Sequence, residues 1–511
     1  MLSKVKSCGL IGIDGYRVEV ETDISNGIPA FEIVGLGDTA VRESKERVRA
    51  AIKNSGLEFP VRRITINLAP ANQRKEGSAY DLAIALGILT ATDQIHTPIL
   101  DKYMFIGELS LDGEVKPVTG VLPMAIRAMN QGVEYLVLPV ANADEAAVVK
   151  GVQILPVRNL SEIVHHLTGE KQIARHTVDI DAIFNGNISH ELDFADVKGQ
   201  ENVKRAMEVA ASGGHNCIMI GSPGSGKTML AKRLPSILPS MTFEEALEVT
   251  KIHSIAGTLP PKTSLITNRP FRNPHHTISA IGLVGGGKYP KPGEISLSHY
   301  GVLFLDEIPE FSKDALEVMR QPLEDGVATI SRVNASLSYP ARTTLIAAAN
   351  PCKCGNYLDS SKQCNCTPKQ IQQYMGKLSG PLLDRIDIHI EVASVKYKDL
   401  ESTREEEKSS VIRARVNKAR RVQLERYKGL NIYSNSQLQA SMISKFCRLD
   451  DKGRELLKNA FDRLGLSARA HSRILKVART IADMEESEEI KQQHLAEAIQ
   501  YRSLDRRFWN T

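Results

Sequence analysis

The chain of 511 residues is 42% hydrophobic, which is ample for ordinary globular cores, and its formal net charge of +5 permits nucleic-acid binding without arguing for it. Its length indicates roughly two to four domains. No stretch of about 18 unbroken apolar residues is present, and residues 1–8 lack the apolar core of a signal peptide. We therefore expect a cytoplasmic protein with no membrane association and with reduced thiols.

The N-terminal part of the chain, residues 1–170, alternates short strand-like and helix-like segments, which indicates a compact α/β domain. Residues 63–68 and 135–139 predict strands, and residues 79–91, which are apolar nearly all round, predict a helix. Residues 171–193 are polar and contain an Asn-Gly pair, so we interpret them as a linker.

The most informative segment is residues 221–228, which fit the phosphate-binding pattern G-x-x-x-x-G-K-[ST]. It follows an apolar run that predicts a buried strand and leads into a predicted helix, the context that this P-loop motif needs. Backbone N–H groups and the helix N-terminus would surround a phosphate. Lys227 would reach the β- and γ-phosphates of ATP, and Thr228 would bind Mg²⁺. The predicted nucleotide-binding residues are Gly221, Ser222, Pro223, Gly224, Ser225, Gly226, Lys227 and Thr228.

A second motif, at residues 302–307, consists of four apolar residues followed by Asp306 and Glu307. Four apolar residues in a row predict a central strand that is buried on both faces. The end of this strand would place Asp306 beside the P-loop to hold Mg²⁺ through water, and Glu307 would polarise the attacking water. An exposed Asp-Glu pair at the start of a helix is the alternative, and the upstream P-loop disfavours it.

Three more segments complete the central region. Residues 343–350 predict a third apolar strand, which ends at Asn350. Residues 268–299 are rich in Gly, Pro and His, and residues 329–342 predict a β-hairpin. The cationic and histidine side chains singled out in these two inserts are Arg272, His275, His276, Lys288, Arg332 and Arg342.

Four of the seven cysteines cluster in the pattern C-x-C, nine residues, C-x-C. In a reducing compartment such a cluster indicates metal ligation rather than disulfides, and four thiolates suit a tetrahedral structural Zn²⁺. Unliganded or redox-labile surface thiols are the alternative, because C-x-C is tighter than the usual spacing. The candidate zinc ligands are Cys352, Cys354, Cys364 and Cys366.

The C-terminal part, from about residue 396, is dominated by Glu, Lys and Arg, and we expect it to be mostly helical. Residues 405–428 predict a charged helix with a basic bias. We interpret that bias as a solvated helix face in preference to a nucleic-acid contact.

The order of these motifs resembles that of an AAA+ ATPase, in the clade of the magnesium chelatase ATPase subunit and the MCM helicases. Over essentially the whole chain it is most similar to the bacterial ComM/YifB family. The motifs that carry the resemblance, beside the cysteines, are Asn-Pro-His-His at 273–276, Pro-Gly-Glu-Ile-Ser-Leu at 292–297, Arg-Gln-Pro-Leu-Glu-Asp-Gly at 320–326 and Gly-Pro-Leu-Leu-Asp-Arg-Ile-Asp at 380–387.

The resemblance implies an α/β protein with a Lon-protease-like N-terminal domain, a P-loop core and a helical lid. The implied domains are a non-proteolytic Lon-like domain at 1–170, a linker at 171–193, an AAA+ core at 194–395 with a cysteine insert at 352–366, and a lid at 396–511. A ring of identical subunits, usually a hexamer, is also implied, since AAA+ sites lie between neighbouring subunits.

Three site residues are assigned through this resemblance. Asn350 would orient the attacking water, and Arg385 would be an arginine finger that reaches the neighbouring subunit's ATP. A lid arginine should also touch the γ-phosphate; Arg469 is favoured over Arg473, and for both a plain helix surface is the alternative. In related helicases the two inserts line the pore and grip DNA, although they could instead build only the subunit interface.

The N-terminal domain resembles the Lon fold at 107–113 and 115–121, but it departs from the Ser–Lys dyad of Lon proteases. Ala79 stands where the nucleophile should be, and the lysine position falls near Leu122. A shifted dyad of Ser78 and Lys116 is the alternative. We expect a non-proteolytic domain used for DNA handling or ring assembly.

The leading hypothesis is an ATP- and Mg²⁺-dependent DNA motor. By its resemblance it would be a branch-migration helicase that acts on single-stranded or branched DNA in recombination and natural transformation. The alternative is a magnesium-chelatase-like ATPase that drives metal insertion or remodels a protein client. An ATP-dependent protease is a third and disfavoured hypothesis.

Overall fold

A computed structural model describes residues 1–185, 191–287, 290–332, 335–359, 362–394, 405–430, 432–464, 466–504 and 508. The chain divides into two compact units. The first unit contains Met1–Gly186 and Ala246–Thr267, and the second contains Asn187–Glu245 and Asn268–Thr511.

The first unit has three small sheets. Its strands are β1 (Leu2–Ile11), β2 (Asp14–Ser25), β3 (Ala30–Val34), β4 (Arg63–Ala69), β5 (Tyr103–Phe105), β6 (Glu108–Leu109), β7 (Val115–Lys116), β8 (Tyr135–Pro139) and β9 (Gln153–Val157). Four strands form a sheet in the order β1-β2-β4-β3, three form the parallel sheet β5-β8-β9, and β6 and β7 form an antiparallel pair. The strands expected at 63–68 and 135–139 are thereby confirmed as β4 and β8.

Alternation of side chains explains how the four-stranded sheet finds its core. Val18, Val20, Thr22 and Ile24 of β2 are buried, and the alternate residues between them are more exposed, as expected for one covered sheet face. The helix Asp81–Ala91 packs against β1 and β2 and is buried along almost its whole length. The apolar character of this helix on every side, visible in the sequence, follows from that central position.

The α-helices of the first unit surround these sheets. They are Thr39–Asn54, Asp81–Ala91, Val121–Asn130, Ala143–Ala146, Leu160–Leu167 and Ile180–Asn185. A further helix, Phe243–Ala256, has most of its residues in the segment that belongs to this unit.

The second unit is built on a five-stranded parallel sheet with the order β11-β14-β17-β10-β18. The strands of the whole second unit, including those outside this sheet, are β10 (Cys217–Gly221), β11 (Phe271–Arg272), β12 (Gly285–Gly286), β13 (Lys291–Pro292), β14 (Val302–Leu305), β15 (Val327–Arg332), β16 (Ala335–Pro340), β17 (Thr344–Ala349) and β18 (Ile388–Val392). The three apolar strands expected from the sequence are confirmed as β10, β14 and β17. Strands β15 and β16 pair antiparallel, which confirms the hairpin.

Both faces of the parallel sheet are covered, so β10 reads as a continuous apolar run. Cys217 and Met219 point to a core that also contains Ile474 and Ile481 of a C-terminal helix. Ile218 and Ile220 point to the opposite core. This core also includes Leu303 and Leu305 of β14 and Leu345 of β17.

Helices make up most of the rest of the second unit, including its C-terminal part. The α-helices are Glu201–Gly213, Lys227–Arg233, Ala280–Val284, Glu294–Leu297, Lys313–Val318, Arg320–Asp325, Pro368–Met375, Gly380–Leu383, Ser409–Arg426, Ala440–Phe446, Asp451–Leu464, Ala468–Met484 and Gln492–Gln500. The charged helix expected at 405–428 corresponds to Ser409–Arg426. Its basic residues are partly paired: Arg420 is mostly buried, 3.5 Å from Glu245, and is not on a solvated face.

Candidate functional site

The P-loop connects β10 to the helix Lys227–Arg233 and leaves an open cradle. Gly224 and Gly226 have φ angles of +80° and +92°, which favour glycine. Within the described part of the chain, no heavy atom lies within 4 Å of a Cβ placed on either glycine. The loop therefore presents free space at the helix N-terminus, where a phosphate group would fit.

Lys227 lies at the first helical position after this loop and is 8% exposed. Its ammonium donates to the backbone oxygens of Gly221 at 2.7 Å and Ser222 at 2.9 Å, and to the Asn350 side-chain oxygen at 3.2 Å. Burial lowers the pKa of Lys227 below its ordinary value. The structure thus brings together the P-loop lysine and the polar residue at the end of β17.

Thr228, in the helix that the P-loop connects to β10, meets Asp306, the residue directly after β14. The Thr228 hydroxyl donates a hydrogen bond of 2.7 Å to Asp306 Oδ2. These two strands are not adjacent, because β17 lies between them. A hydroxyl and a carboxylate are hard oxygen donors, which is the chemistry that Mg²⁺ prefers. The residues present therefore fit the magnesium site expected from the sequence.

Glu307 has an unusual backbone conformation directly after Asp306. Its φ of 50° and ψ of 46° place it in the left-handed region, which is uncommon for residues other than glycine. Its side chain is 52% exposed, and one oxygen lies 4.0 Å from His276 Nδ1. The ring of His276 in turn lies 4.1 Å from that of His275, between centroids. Backbone strain of this kind clusters at functional sites.

Arg385 is held by groups outside the P-loop. Its guanidinium donates to the backbone oxygens of Arg320 at 3.1 Å and Pro381 at 2.6 Å, and to the Glu324 carboxylate. The side chain is 11% exposed. Glu324 is a functional candidate that the sequence argument did not single out, although it lies inside the motif at 320–326.

Arg469 and Arg473, on the helix Ala468–Met484, pair with carboxylates on either side of Arg385 in the sequence. Arg469 lies 3.1 Å from the carboxylate of Asp384, which precedes Arg385 in the chain, and Arg473 pairs with the buried Asp387. Arg469 is 62% exposed, whereas Arg473 is 22% exposed. One cavity of about 720 Å³ is lined by a cationic set that includes Arg342, Arg385, Arg420, Arg469, Arg473 and Lys476, and also by the acidic Glu324, Asp325, Asp384 and Asp387.

The four clustered cysteines form a compact group of thiols. The sulfur of Cys352 lies 3.4 Å from that of Cys354 and 3.8 Å from that of Cys364, and all four sulfurs lie within 4.8 Å of one another. A zinc–sulfur bond of about 2.3 Å places tetrahedral ligands about 3.8 Å apart. The cluster therefore has dimensions that suit a Zn²⁺ site with four cysteine ligands.

Thiol ionisation differs within the cluster. Burial raises the pKa of Cys352 to about 12. Hydrogen bonds from backbone amides, first that of Asn356, lower the pKa of Cys354 to about 6. The lowered pKa of Cys354 favours its thiolate, the form that binds metal.

The side chains expected to contact DNA differ in their exposure and in their hydrogen-bond partners. Arg272 is held by both oxygens of Glu294, at 2.6 and 2.7 Å, and this pairing raises the pKa of Arg272. His275 is exposed and hydrogen-bonded to Thr277 at 2.9 Å. Arg342 lines the cationic cavity. Lys288 and the side chain of Arg332 lie outside the described residues.

The residues of the alternative dyad in the first unit have other partners. The Ser78 hydroxyl donates to the carboxylate of Glu108, and Lys116 pairs with Glu114. Glu108 and Lys116 face each other across the β6–β7 pair. Ser78 therefore has a carboxylate beside it where a Ser–Lys dyad needs an amine.

Three family descriptions match consecutive parts of the chain. "Subunit ChlI of Mg-chelatase" matches residues 20–142, "Magnesium chelatase, subunit ChlI" matches 193–400, and "Magnesium chelatase, subunit ChlI C-terminal" matches 406–502. Together with the parallel sheet and the P-loop, these matches define a magnesium-chelatase-type AAA+ ATPase with a ChlI-like N-terminal domain and a helical C-terminal region. The expected fold class is confirmed.

Relatives that match nearly the whole chain define the family more closely. "Competence protein ComM" of Haemophilus influenzae is 42% identical over 99% of this chain and 98% of its own length. YifB of Escherichia coli, described as uncharacterized, is 42% identical with the same coverage of 99% and 98%. The chain belongs to the ComM/YifB family. "Lon protease 2" of Bacillus subtilis is similar at 29% identity over 30% of this chain and 30% of that protein.

Among the residues that the structure describes, no helix combines the length and the apolar character needed to cross a bilayer.

Proposed function

We propose that the protein is an ATP-hydrolysing, ring-forming motor that acts on DNA, and that it works as a branch-migration helicase in recombination or natural transformation. The proposal of ATP hydrolysis rests on two contacts at one end of the sheet. Lys227 bonds to Asn350, and Thr228 bonds to Asp306. The DNA part is supported by the similarity to a relative named for competence.

In this proposal, the chain's own residues divide the work of hydrolysis. The P-loop amides and Lys227 would bind the β- and γ-phosphates, and Thr228 and Asp306 would hold a Mg²⁺ ion, which would supply positive charge beside the phosphates. Glu307 accepts a proton from the attacking water, and Asn350 orients that water. The hydrogen bonds of Lys227 to Gly221 and Ser222 would be exchanged for bonds to phosphate oxygens.

We assign Arg385 to the ATP of a neighbouring subunit, together with Arg469. Support comes from the partners of Arg385, all of which lie outside the P-loop, and from the cationic cavity that it shares with Arg469. Cationic side chains outnumber acidic ones in this cavity, which suits a polyphosphate that a second copy of the chain would present in exchange for the carboxylates of Glu324 and Asp384. A ring of six copies is the assembly implied by the family resemblance.

We further propose that zinc occupies the four-cysteine cluster and that residues 1–170 form a Lon-like domain without protease activity, followed by a linker at 171–193. The core at 194–395 and the lid at 396–511 would form the motor, although residues 246–267 pack with the first unit. The carboxylate beside Ser78 supports the absence of proteolysis.

DNA contact is proposed for His275, His276, Lys288, Arg332 and Arg342. Contacts of this kind to phosphates are independent of sequence and sensitive to salt. Arg272 is a weaker candidate, since Glu294 already occupies its guanidinium.

A second candidate function is a chelatase-like motor that remodels a protein client or drives metal insertion. The match of residues 193–400 to the magnesium chelatase subunit favours it. The deciding experiment measures ATP hydrolysis with single-stranded, duplex and four-way-junction DNA at low and moderate salt, with Glu307→Gln as the inactive control. Stimulation by single-stranded or branched DNA supports the DNA motor. Hydrolysis that no DNA changes would overturn it in favour of the protein client.

A further inference from the structure

The four-cysteine cluster is in direct contact with the P-loop. Gly355, which follows the second cysteine, has a φ of +83°. A Cβ atom placed on Gly355 would lie 2.4 Å from Cδ and 2.6 Å from Cγ of Pro223, the third residue of the P-loop. Even one methyl group would collide there, so the cluster segment and the P-loop are closely packed.

A second connection runs through the chain itself. Asn350, whose side chain lies 3.2 Å from the Lys227 ammonium, is two residues before Cys352. Cys352 is fully buried, and its backbone oxygen accepts a 3.0 Å hydrogen bond from the Gly355 amide. The first cysteine therefore joins the end of β17, the turn at Gly355 and the group of thiols.

The segment between the cysteines depends on the cluster for its position. From Cys352 to Thr367, the described residues contain neither a helix nor a strand. A loop without regular hydrogen bonding is costly to order, and a metal bound by four thiolates is a strong means of ordering one. The sulfur separations of 3.4 to 3.8 Å among Cys352, Cys354 and Cys364 are close to those around a tetrahedral zinc.

We propose that a zinc ion held by Cys352, Cys354, Cys364 and Cys366 braces the P-loop through the contact of Gly355 with Pro223, so that the affinity for ATP depends on zinc occupancy. The cluster is then a regulatory element of the nucleotide site as well as a structural one. This inference rests on the proposed ATPase function, because it assigns the same P-loop to nucleotide binding.

The experiment uses the full chain, with zinc content measured by a colorimetric metal indicator and nucleotide affinity by titration with a fluorescent ATP analogue in the presence of Mg²⁺. Zinc is removed by chelation and then restored. We expect one zinc per chain, affinity at least about 10-fold weaker after removal, and recovery on adding zinc. Circular dichroism checks that the metal-free protein remains folded.

Variants separate bracing from folding. Gly355→Ala should keep its zinc but bind the analogue several-fold more weakly, because its methyl group collides with Pro223 and its φ of +83° disfavours any side chain. Lys362→Ala, an exposed residue between the cysteines, is the matched control and should behave as the wild type.

The outcomes distinguish this inference from the function on which it rests. Tight nucleotide binding that is equal with and without zinc, or tight binding by a protein that holds no zinc, would overturn the bracing role and leave the ATPase intact. Failure of the zinc-loaded protein to bind the ATP analogue would overturn both. Weak binding by a folded Gly355→Ala protein that keeps its zinc supports the inference.

Discussion

The Thr228 hydroxyl donates a 2.7 Å hydrogen bond to the Asp306 carboxylate, across 78 residues of sequence. Asp306 directly follows the buried strand β14, and Thr228 lies in the helix that the P-loop connects to β10 of the same sheet. The strand between these two, β17, is followed by Asn350, whose side chain reaches Lys227. The sheet order therefore gathers the elements of a phosphate and magnesium site at one edge, with Glu307 as the next residue after Asp306.

We predict that Glu307→Gln removes hydrolysis while keeping nucleotide binding. Glutamine has nearly the same shape but cannot accept the proton of the attacking water, and loss of a general base costs about 100-fold to 10,000-fold in rate. Phosphate release and binding of a fluorescent ATP analogue would be measured on the same protein. Glu310→Gln, which changes a nearby partly exposed carboxylate paired with Lys377, is the control and should stay active.

We predict that two inactive variants restore activity when mixed. Arg385→Ala should lower hydrolysis about 1,000-fold or more, since arginine fingers contribute on that scale. In a mixed ring, an Arg385→Ala subunit keeps its own Glu307 and can receive Arg385 from a Glu307→Gln neighbour. Phosphate release should therefore rise well above the level of either variant alone. Strict additivity of the two residual rates would contradict an arginine that acts across the interface.

We predict that Asp387→Asn destabilises the second unit by about 3 kcal/mol at neutral pH, since breaking a buried ion pair costs this much. Asp387 is 5% exposed and contacts both His215, at 3.0 Å, and Arg473. Urea denaturation followed by circular dichroism would measure the loss. Asp451→Asn, at a side chain that is 98% exposed, should change stability by less than about 1 kcal/mol.

The contacts of Asp387 with Arg473 and His215 also make the stability of the second unit depend on pH. Burial alone would raise the pKa of Asp387, but Arg473 and His215 hold the pKa well below its usual range. A folded-state pKa below the unfolded value of about 3.9 stabilises the fold above that pH. The difference between wild type and Asp387→Asn should therefore shrink as the pH falls below about 4. A difference that grows below about pH 4 would contradict this assignment.

Local patterns were sufficient to predict the phosphate site but not the contacts around it. Residues 221–228 and 302–307 predict their strands and roles because the motif and the apolar run lie next to each other in the sequence. The meeting of Arg469 with Asp384, and the position of β17 between β10 and β14, depend on how distant segments pack. A single sequence carries no local signal for either.

Charge composition also did not predict which charged side chains are buried in ion pairs. The basic helix Ser409–Arg426 was interpreted as a solvated face, yet Arg420 is largely buried beside Glu245. Its partner lies in a different helix and far away in the sequence, so periodicity alone could not pair them. The helix Phe243–Ala256 gave no compositional sign that most of it belongs with the first unit.

Two lid arginines remain candidates for the phosphate contact, and their different exposure separates them. Arg469→Ala removes a side chain that is 62% exposed, so stability should change by less than about 1 kcal/mol. Hydrolysis should nevertheless fall on the order of 100-fold, as when one donor to a developing charge is removed.

Arg473→Ala leaves the Asp387 carboxylate buried without its cation, so we expect a loss of about 3 kcal/mol in stability. Phosphate release and urea denaturation on both variants would test this, and mixing Arg469→Ala with Glu307→Gln should restore hydrolysis. An active, stable Arg469→Ala protein would contradict the assignment and leave Arg473 as the phosphate ligand.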